Sequence, residues 1–165
     1  MDELFNWENL TEVLNEYAIE LRNAYQDSLI RNDRIASGEL LNSVEYIINK
    51  DNVSISVSLR LADYWKYCEW DTKPHWPPVN KMLEYVKIKP VIPDRRYNGK
   101  LPTEQQLAYL IGRKISQEGT KGTNDLHNTV REMNDRYRAK IYEAIKKDVV
   151  KGVNVFFSEL FYKNS

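Results

Sequence analysis

Val53-Ser54-Ile55-Ser56-Val57-Ser58-Leu59-Arg60-Leu61 decides the fold class, because apolar and polar residues alternate there without a break. Side chains of an extended chain point alternately to opposite faces. Val53, Ile55, Val57, Leu59 and Leu61 therefore line one face of a strand, and the serines and Arg60 line the other. Just upstream, residues 43–50 are rich in Val, Tyr and Ile, and Lys50-Asp51-Asn52 offers turn chemistry, so the two runs are expected to pair as an antiparallel hairpin. An isolated hairpin is marginal in water. This one needs a helix over its apolar face, or strands of neighbouring subunits along its edge.

On the N-terminal side the period changes to that of a helix. Leu10, Val13, Leu14, Tyr17, Ala18, Leu21, Tyr25 and Leu29 recur at three-and-four spacing. Asn6 or Asn9 is expected to cap this helix, Asn9 with Glu12 having capping-box spacing, and Asn32-Asp33 to stop it. On the C-terminal side, an aromatic-dense segment from Tyr64 to Trp76 leads to Pro77-Pro78 and a short helix carrying Val79, Met82, Leu83 and Val86. Residues 87–102 hold Pro90, Pro93, Gly99 and Pro102, with five bases against one acid, and read as a basic projecting loop. Thr103 and Gln106 fit a capping box for a third helix that ends at Gly119. Gly119 to Asn124 reads as a flexible turn, after which Asp125 caps a long helix with the stripe Leu126, Val130, Met133, Tyr137, Ile141, Ala144, Ile145 and Val149. Gly152 is expected to interrupt or end it. Residues 153–165 form an extension in which helix is favoured over strand.

The fold class that follows is α+β: a long N-terminal helix, an antiparallel β-hairpin, then three helices including a long C-terminal one. The 165 residues suit a single domain, residues 1–165. One cysteine gives no internal disulfide and no Cys-based zinc site. No apolar run approaches the roughly 20 residues needed to cross a bilayer, and Met1-Asp2-Glu3-Leu4 lacks the basic and apolar blocks of a secretory signal, so no membrane association is expected. The chain has 24 basic and 24 acidic residues, yet residues 1–45 carry ten acids and three bases. Two oppositely charged surfaces would let copies attract head to tail, a contact that closes into a ring or runs on as a filament; solvated helix faces are the plainer alternative.

Reactive chemistry is thinly supplied. His75 and His127 have no second His or Cys at helical spacing, so no metal site is expected. Cys68 is a nucleophile only if one of these histidines folds against it, and a buried small side chain is the simpler reading. Glu69 and Asp71, sharing a strand face among aromatics, have the composition of a glycosidase pair, although such segments more often plug cores or interfaces. No Walker loop, dinucleotide glycine motif or serine elbow is present. Nucleic-acid binding is the more serious alternative. Arg95, Arg96 and Lys100 with Tyr97 have the character of a phosphate grip with a stacking ring. Arg131, Arg136, Arg138, Lys140, Lys146, Lys147 and Lys151 punctuate the last helix, but acids are interleaved with them.

Four segments carry a resemblance. They are Ala36-Ser37-Gly38-Glu39-Leu40-Leu41-Asn42-Ser43, Tyr64-Trp65-Lys66-Tyr67-Cys68-Glu69-Trp70-Asp71-Thr72-Lys73-Pro74, His75-Trp76-Pro77-Pro78 with Val79, Leu83 and Tyr85, and Leu107-Ala108-Tyr109-Leu110-Ile111-Gly112-Arg113-Lys114-Ile115 with Glu118-Gly119-Thr120. In this order, over roughly residues 35–130, the chain resembles the tail-completion or head-to-tail joining (neck, connector ring) proteins of tailed bacteriophages, with crAss-like phages as the source type suggested. Asp71 stands where that family has glycine, and the loop 87–102 is long. The resemblance implies no catalysis, no cofactor, and assembly in the host cytoplasm into a homo-oligomeric ring of the virion neck. Portal or adaptor and tail proteins would be its partners, and double-stranded DNA would pass through transiently. On this reading Glu12, Glu16, Glu20, Tyr64, Trp65, Tyr67, Trp70 and Trp76 are the expected subunit or ring interface. Arg95, Arg96, Tyr97 and Lys100 are the expected contact with DNA or the next ring.

Overall fold

A computed structural model describes residues 6–33, 36–51, 54–89 and 101–162. The order of elements is α1 (Glu8–Arg31), α2 (Glu39–Ser43), β1 (Glu45–Lys50), β2 (Ile55–Arg60), α3 (Trp65–Glu69), α4 (Val79–Ile88), α5 (Glu104–Glu118) and α6 (Asp125–Tyr162). The protein is α+β, with a long N-terminal helix, one antiparallel hairpin and a long C-terminal helix. The short α2 and α3 were not legible as helices in the sequence. Two compact units emerge, one of residues 1–28, 44–60 and 126–165, the other of residues 29–43 and 61–125.

In the first unit, β1 and β2 pair antiparallel with Ile48 opposite Val57 and Tyr46 opposite Leu59. Ile55, Val57 and Leu59 are half-buried, and Ser54, Ser56 and Ser58 are exposed. The alternation thus does what its period dictates. Of the two ways to cover the apolar face, the chain uses its own helices: Val57 and Leu59 pack on a core of Tyr17 and Leu21 from α1 and Met133 and Tyr137 from α6. The rings of Tyr17 and Tyr137 meet edge to face at 5.5 Å, an arrangement favoured by the ring quadrupoles. Helices α1 and α6 run antiparallel, as their pairs show: Glu8 with Lys151 at 2.9 Å, Glu16 with Lys140 at 3.4 Å and Glu20 with Arg136 at 3.4 Å.

The start of α1 corrects the expected cap. Neither Asn6 nor Asn9 caps it through its own side chain. The carboxylate of Asp148, fully buried on α6, accepts the Asn9 N–H at 3.2 Å, the Leu10 N–H at 2.8 Å and the Asn9 Nδ2 at 2.6 Å. First-turn amides lack intrahelical partners, and an anion suits that end of the helix dipole. Gly152 does not end α6. It is buried inside a helix that continues to Tyr162, so the extension is helical over its described part.

In the second unit, Thr103 caps α5 as its spacing predicts: Thr103 Oγ1 accepts the Gln106 N–H at 3.3 Å and Gln106 Oε1 accepts the Thr103 N–H at 2.9 Å. Helix α4 starts just after Pro77-Pro78. Pro77 is buried, and its ring lies 3.7 Å from where a Cβ on Gly112 of α5 would stand.

Candidate functional site

The aromatic segment is held by an unanticipated device. The chain from Cys68 to Thr72 is stitched to residues 120–124, so what reads as a flexible turn is a pinned strap. Thr72 N–H donates to the Thr120 carbonyl at 2.9 Å, and Thr120 N–H donates to Thr72 Oγ1 at 3.0 Å. Thr123 N–H donates to the Cys68 carbonyl at 3.1 Å, and Asn124 N–H to that of Glu69 at 3.0 Å. The two backbones approach so closely that only glycine fits. A Cβ on Gly119, whose φ is +73°, would lie 2.0 Å from the Thr72 carbonyl oxygen, and one on Gly122 would lie 2.2 Å from that of Glu69. Asp71 has a definite task here, its carboxylate accepting the Gly122 N–H at 2.8 Å. A glycine at this position has no side chain to do so.

On this frame the aromatic residues divide. Tyr64 and Trp65 are half-buried, whereas Tyr67, Trp70 and Trp76 are exposed. Trp65 and Trp70 lie 5.2 Å apart, and Trp76 lies 5.8 Å from Tyr109 of α5. Val79 and Leu110 are also largely exposed. Sequence reading missed Tyr109 and Leu110 as partners of this surface. The sequence signal was Tyr109, an aromatic outside the apolar stripe Leu107, Leu110, Ile111 and Ile115 of α5; nothing local marks Leu110, which lies in that stripe and is nonetheless exposed.

The groups considered for catalysis are placed elsewhere or otherwise engaged. Glu69 is the last residue of α3 and buried, Asp71 is exposed, and the strand face proposed for the pair does not exist. His75 is exposed, with Nδ1 at 2.8 Å from the Lys73 carbonyl. Cys68 lines a cavity of about 240 Å³ together with Leu40, Tyr64, Tyr85 and Lys89, and no histidine is among its lining residues. Burial, and after it the charge of Glu39, raises the Tyr64 phenol above its ordinary value. Lys89 at the same cavity pairs with Asp33 at 2.5 Å. Among the described residues no three His, Cys, Asp or Glu side chains come together as a metal-binding group.

No family model, curated protein or solved structure matches this chain. Its chemistry has to be read from its own residues.

Three of the five acidic residues of α1, Glu8, Glu16 and Glu20, have partners inside the chain. Glu16 and Glu20 reach Lys140 and Arg136 of α6, and Glu12 is exposed beside a shallow groove that Lys140 and Lys147 also line. The hydrogen bond from Lys151, helped by that from Asn6, holds the Glu8 carboxyl below the usual carboxylate range. Bases on α6 are engaged in the same way, Arg136 also with Glu132 at 3.0 Å and Arg138 with Asp135 at 2.7 Å. Arg95, Arg96, Tyr97 and Lys100, and most of the loop 87–102, lie outside the described residues.

Proposed function

We propose that this chain is a virion structural protein of a tailed bacteriophage. Copies of it assemble as a ring in the neck, join the capsid portal to the tail, and leave a passage for double-stranded DNA. It works by docking and catalyses nothing. The order of motifs over residues 35–130 supports the reading. The observation that carries it is the open aromatic surface of the second unit. Trp76 and Tyr109 meet at 5.8 Å and stand exposed, as do Trp70, Val79 and Leu110, and the backbone that carries Trp70 is fixed by the strap at residues 119–124. Tryptophan and tyrosine held on a rigid frame are the groups that dominate binding energy at protein interfaces, because they bring large area at little cost in side-chain freedom.

Two further features agree with it. A balance of 24 bases against 24 acids spares a DNA passage the strong phosphate attraction that a basic lumen would exert. Among the described residues no helix is long and apolar enough to cross a membrane. The nucleic-acid adaptor reading loses ground because Arg136, Arg138, Lys140 and Lys151 are each matched with a carboxylate of the same chain. Quantitative mass spectrometry of purified particles, with electron microscopy of the neck, tests the proposal. The expected result is the chain present at a fixed small copy number relative to the portal. Particles that lack it would refute the assignment.

A further inference from the structure

The C-terminal part of α6 carries a second apolar surface, in the first unit. Val150, Val153, Phe156, Phe157, Leu160 and Phe161 are each between 39% and 72% exposed. Counted from Val153, the last four follow at +3, +4, +7 and +8, the pattern of a helix face turned to a core. At 100° per residue this face lies opposite Met133, Tyr137, Ala144 and Asp148, four of the buried residues of α6. The core of the unit occupies that side of the helix over residues 133–148, and this stripe follows on the other side; beyond Gly152 no side of the described helix is buried, Val155 being 49% exposed. Phe156 and Phe157 keep their rings 5.8 Å apart, edge to face.

We propose that this stripe is where the chain packs against a second copy of itself, like stretch against like stretch. The inference rests on the self-association in the reading above and assigns it a surface. Area is the first argument. With roughly 150–250 Å² available per aromatic side chain and less per aliphatic one, these half-open groups leave on the order of 600 Å² uncovered. That is close to the roughly 800 Å² each partner contributes to a standard interface, and at the upper end of what a monomer exposes in one patch. Charge is the second. Between Gly152 and Tyr162 the only ionisable acid or base is Glu159, which the helical period places off the stripe. Two copies can therefore meet face to face without burying a charge, and no oppositely charged partner is called for. Width is the third. From Phe156 to Phe161 the stripe spans about 140° of the helix, broad enough to bury a whole helix face against its counterpart on a second copy.

The test uses the full chain. Light scattering and mass photometry across a concentration series compare wild type, the double variant Phe157→Glu/Leu160→Glu, and the double variant Trp76→Glu/Tyr109→Glu, with circular dichroism confirming that each is folded. Wild type is expected to form multimers, and the α6 variant to weaken assembly at least 100-fold while keeping its helicity. A Phe157→Cys chain in a Cys68→Ser background is expected to give a covalent dimer on mild oxidation. Assembly undiminished in the folded α6 variant, or no cross-link at position 157, would overturn the surface. So would a wild type that stays monomeric, or one that uses the stripe only to bind vesicles. The ring reading stands or falls separately, on whether particles contain the chain.

Discussion

Asp148 is the residue whose removal tests the packing logic most directly. Its carboxylate is fully buried and accepts two backbone amides at the start of α1 and the Asn9 side chain, with donors at 2.6–3.2 Å. Hydrogen bonds to a charged group contribute about 1.5–3 kcal/mol each, but they share one acceptor pair and the freed amides of a first turn regain some water, so the contributions do not add. In Asp148→Ala the loss of the anion at the helix N-terminus, worth about 1 kcal/mol, joins the unmet donors and a small cavity. The sum worked from these parts is about 3–4 kcal/mol. At roughly 2–4 °C per kcal/mol for a chain of this size, Tm should fall by about 6–15 °C. Asp148→Asn keeps the volume but turns an amide toward donors, and should cost about 2–3 kcal/mol. Burial raises the pKa of Asp148, yet the hydrogen bonds from Asn9 and Leu10 outweigh it and hold the group below its ordinary value. The stabilisation is thus complete above the unfolded carboxylate pKa and is lost as pH falls through the lower folded one. Thermal melts by circular dichroism at pH 7 and pH 2.5 read both effects, and the gap between wild type and Asp148→Ala should narrow at the acid end. Melting within 1–2 °C of wild type at pH 7 would refute the assignment of Asp148 as the cap of α1, about 0.5 kcal/mol being the limit it could then contribute.

The glycines give a contrast on one scale. Gly119→Ala and Gly122→Ala should each destabilise by about 3 kcal/mol or more, because their Cβ atoms would meet backbone at 2.0 and 2.2 Å, whereas Gly112→Ala, with its nearest neighbour at 3.7 Å in mid-helix, should gain about 0.5–1 kcal/mol. Urea denaturation of the three variants would show it. Among the described residues the buried hydroxyl of Tyr137 makes no hydrogen bond of good geometry, and burial, then the close carboxylate of Glu20, which stands near enough to interact with the phenol, pushes it up to about 12. Tyr137→Phe should therefore be neutral or stabilise by up to about 1 kcal/mol. Wild type should lose stability between about pH 10 and pH 12, where the unfolded phenol ionises and the folded one does not, and the variant should lose less; equilibrium unfolding across that range checks both. The pairs Glu16–Lys140 and Glu20–Arg136 are about half-exposed. Double-mutant cycles should return no more than about 0.5 kcal/mol for each, vanishing in 1 M salt.

A consequence for assembly comes from these pairs. An acidic α1 looked available to a neighbour while the charges were counted along the chain, but Glu8, Glu16 and Glu20 meet Lys151, Lys140 and Arg136 of their own α6. In the proposed assembly, attraction between copies would come mainly from apolar and aromatic surface. The chain offers two such surfaces, the Trp76–Tyr109 region and the end of α6.

Properties set by near neighbours in the chain were legible in the sequence. The alternation of residues 53–61 specified β2, the three-and-four stripes specified α1, α5 and α6, and Thr103 with Gln106 specified a capping box, because each depends on side chains at most a few residues apart. Three decisions belonged to the tertiary structure. Asp148 caps a helix that begins 140 positions earlier, the strap at residues 119–124 binds a segment about fifty residues upstream, and Glu8, Glu16 and Glu20 of α1 are matched by bases more than a hundred residues away. No local pattern encodes these, since they arise only where the folded chain returns on itself. There, an unmet amide, a close backbone approach or a lone charge takes whatever partner the packing brings within reach.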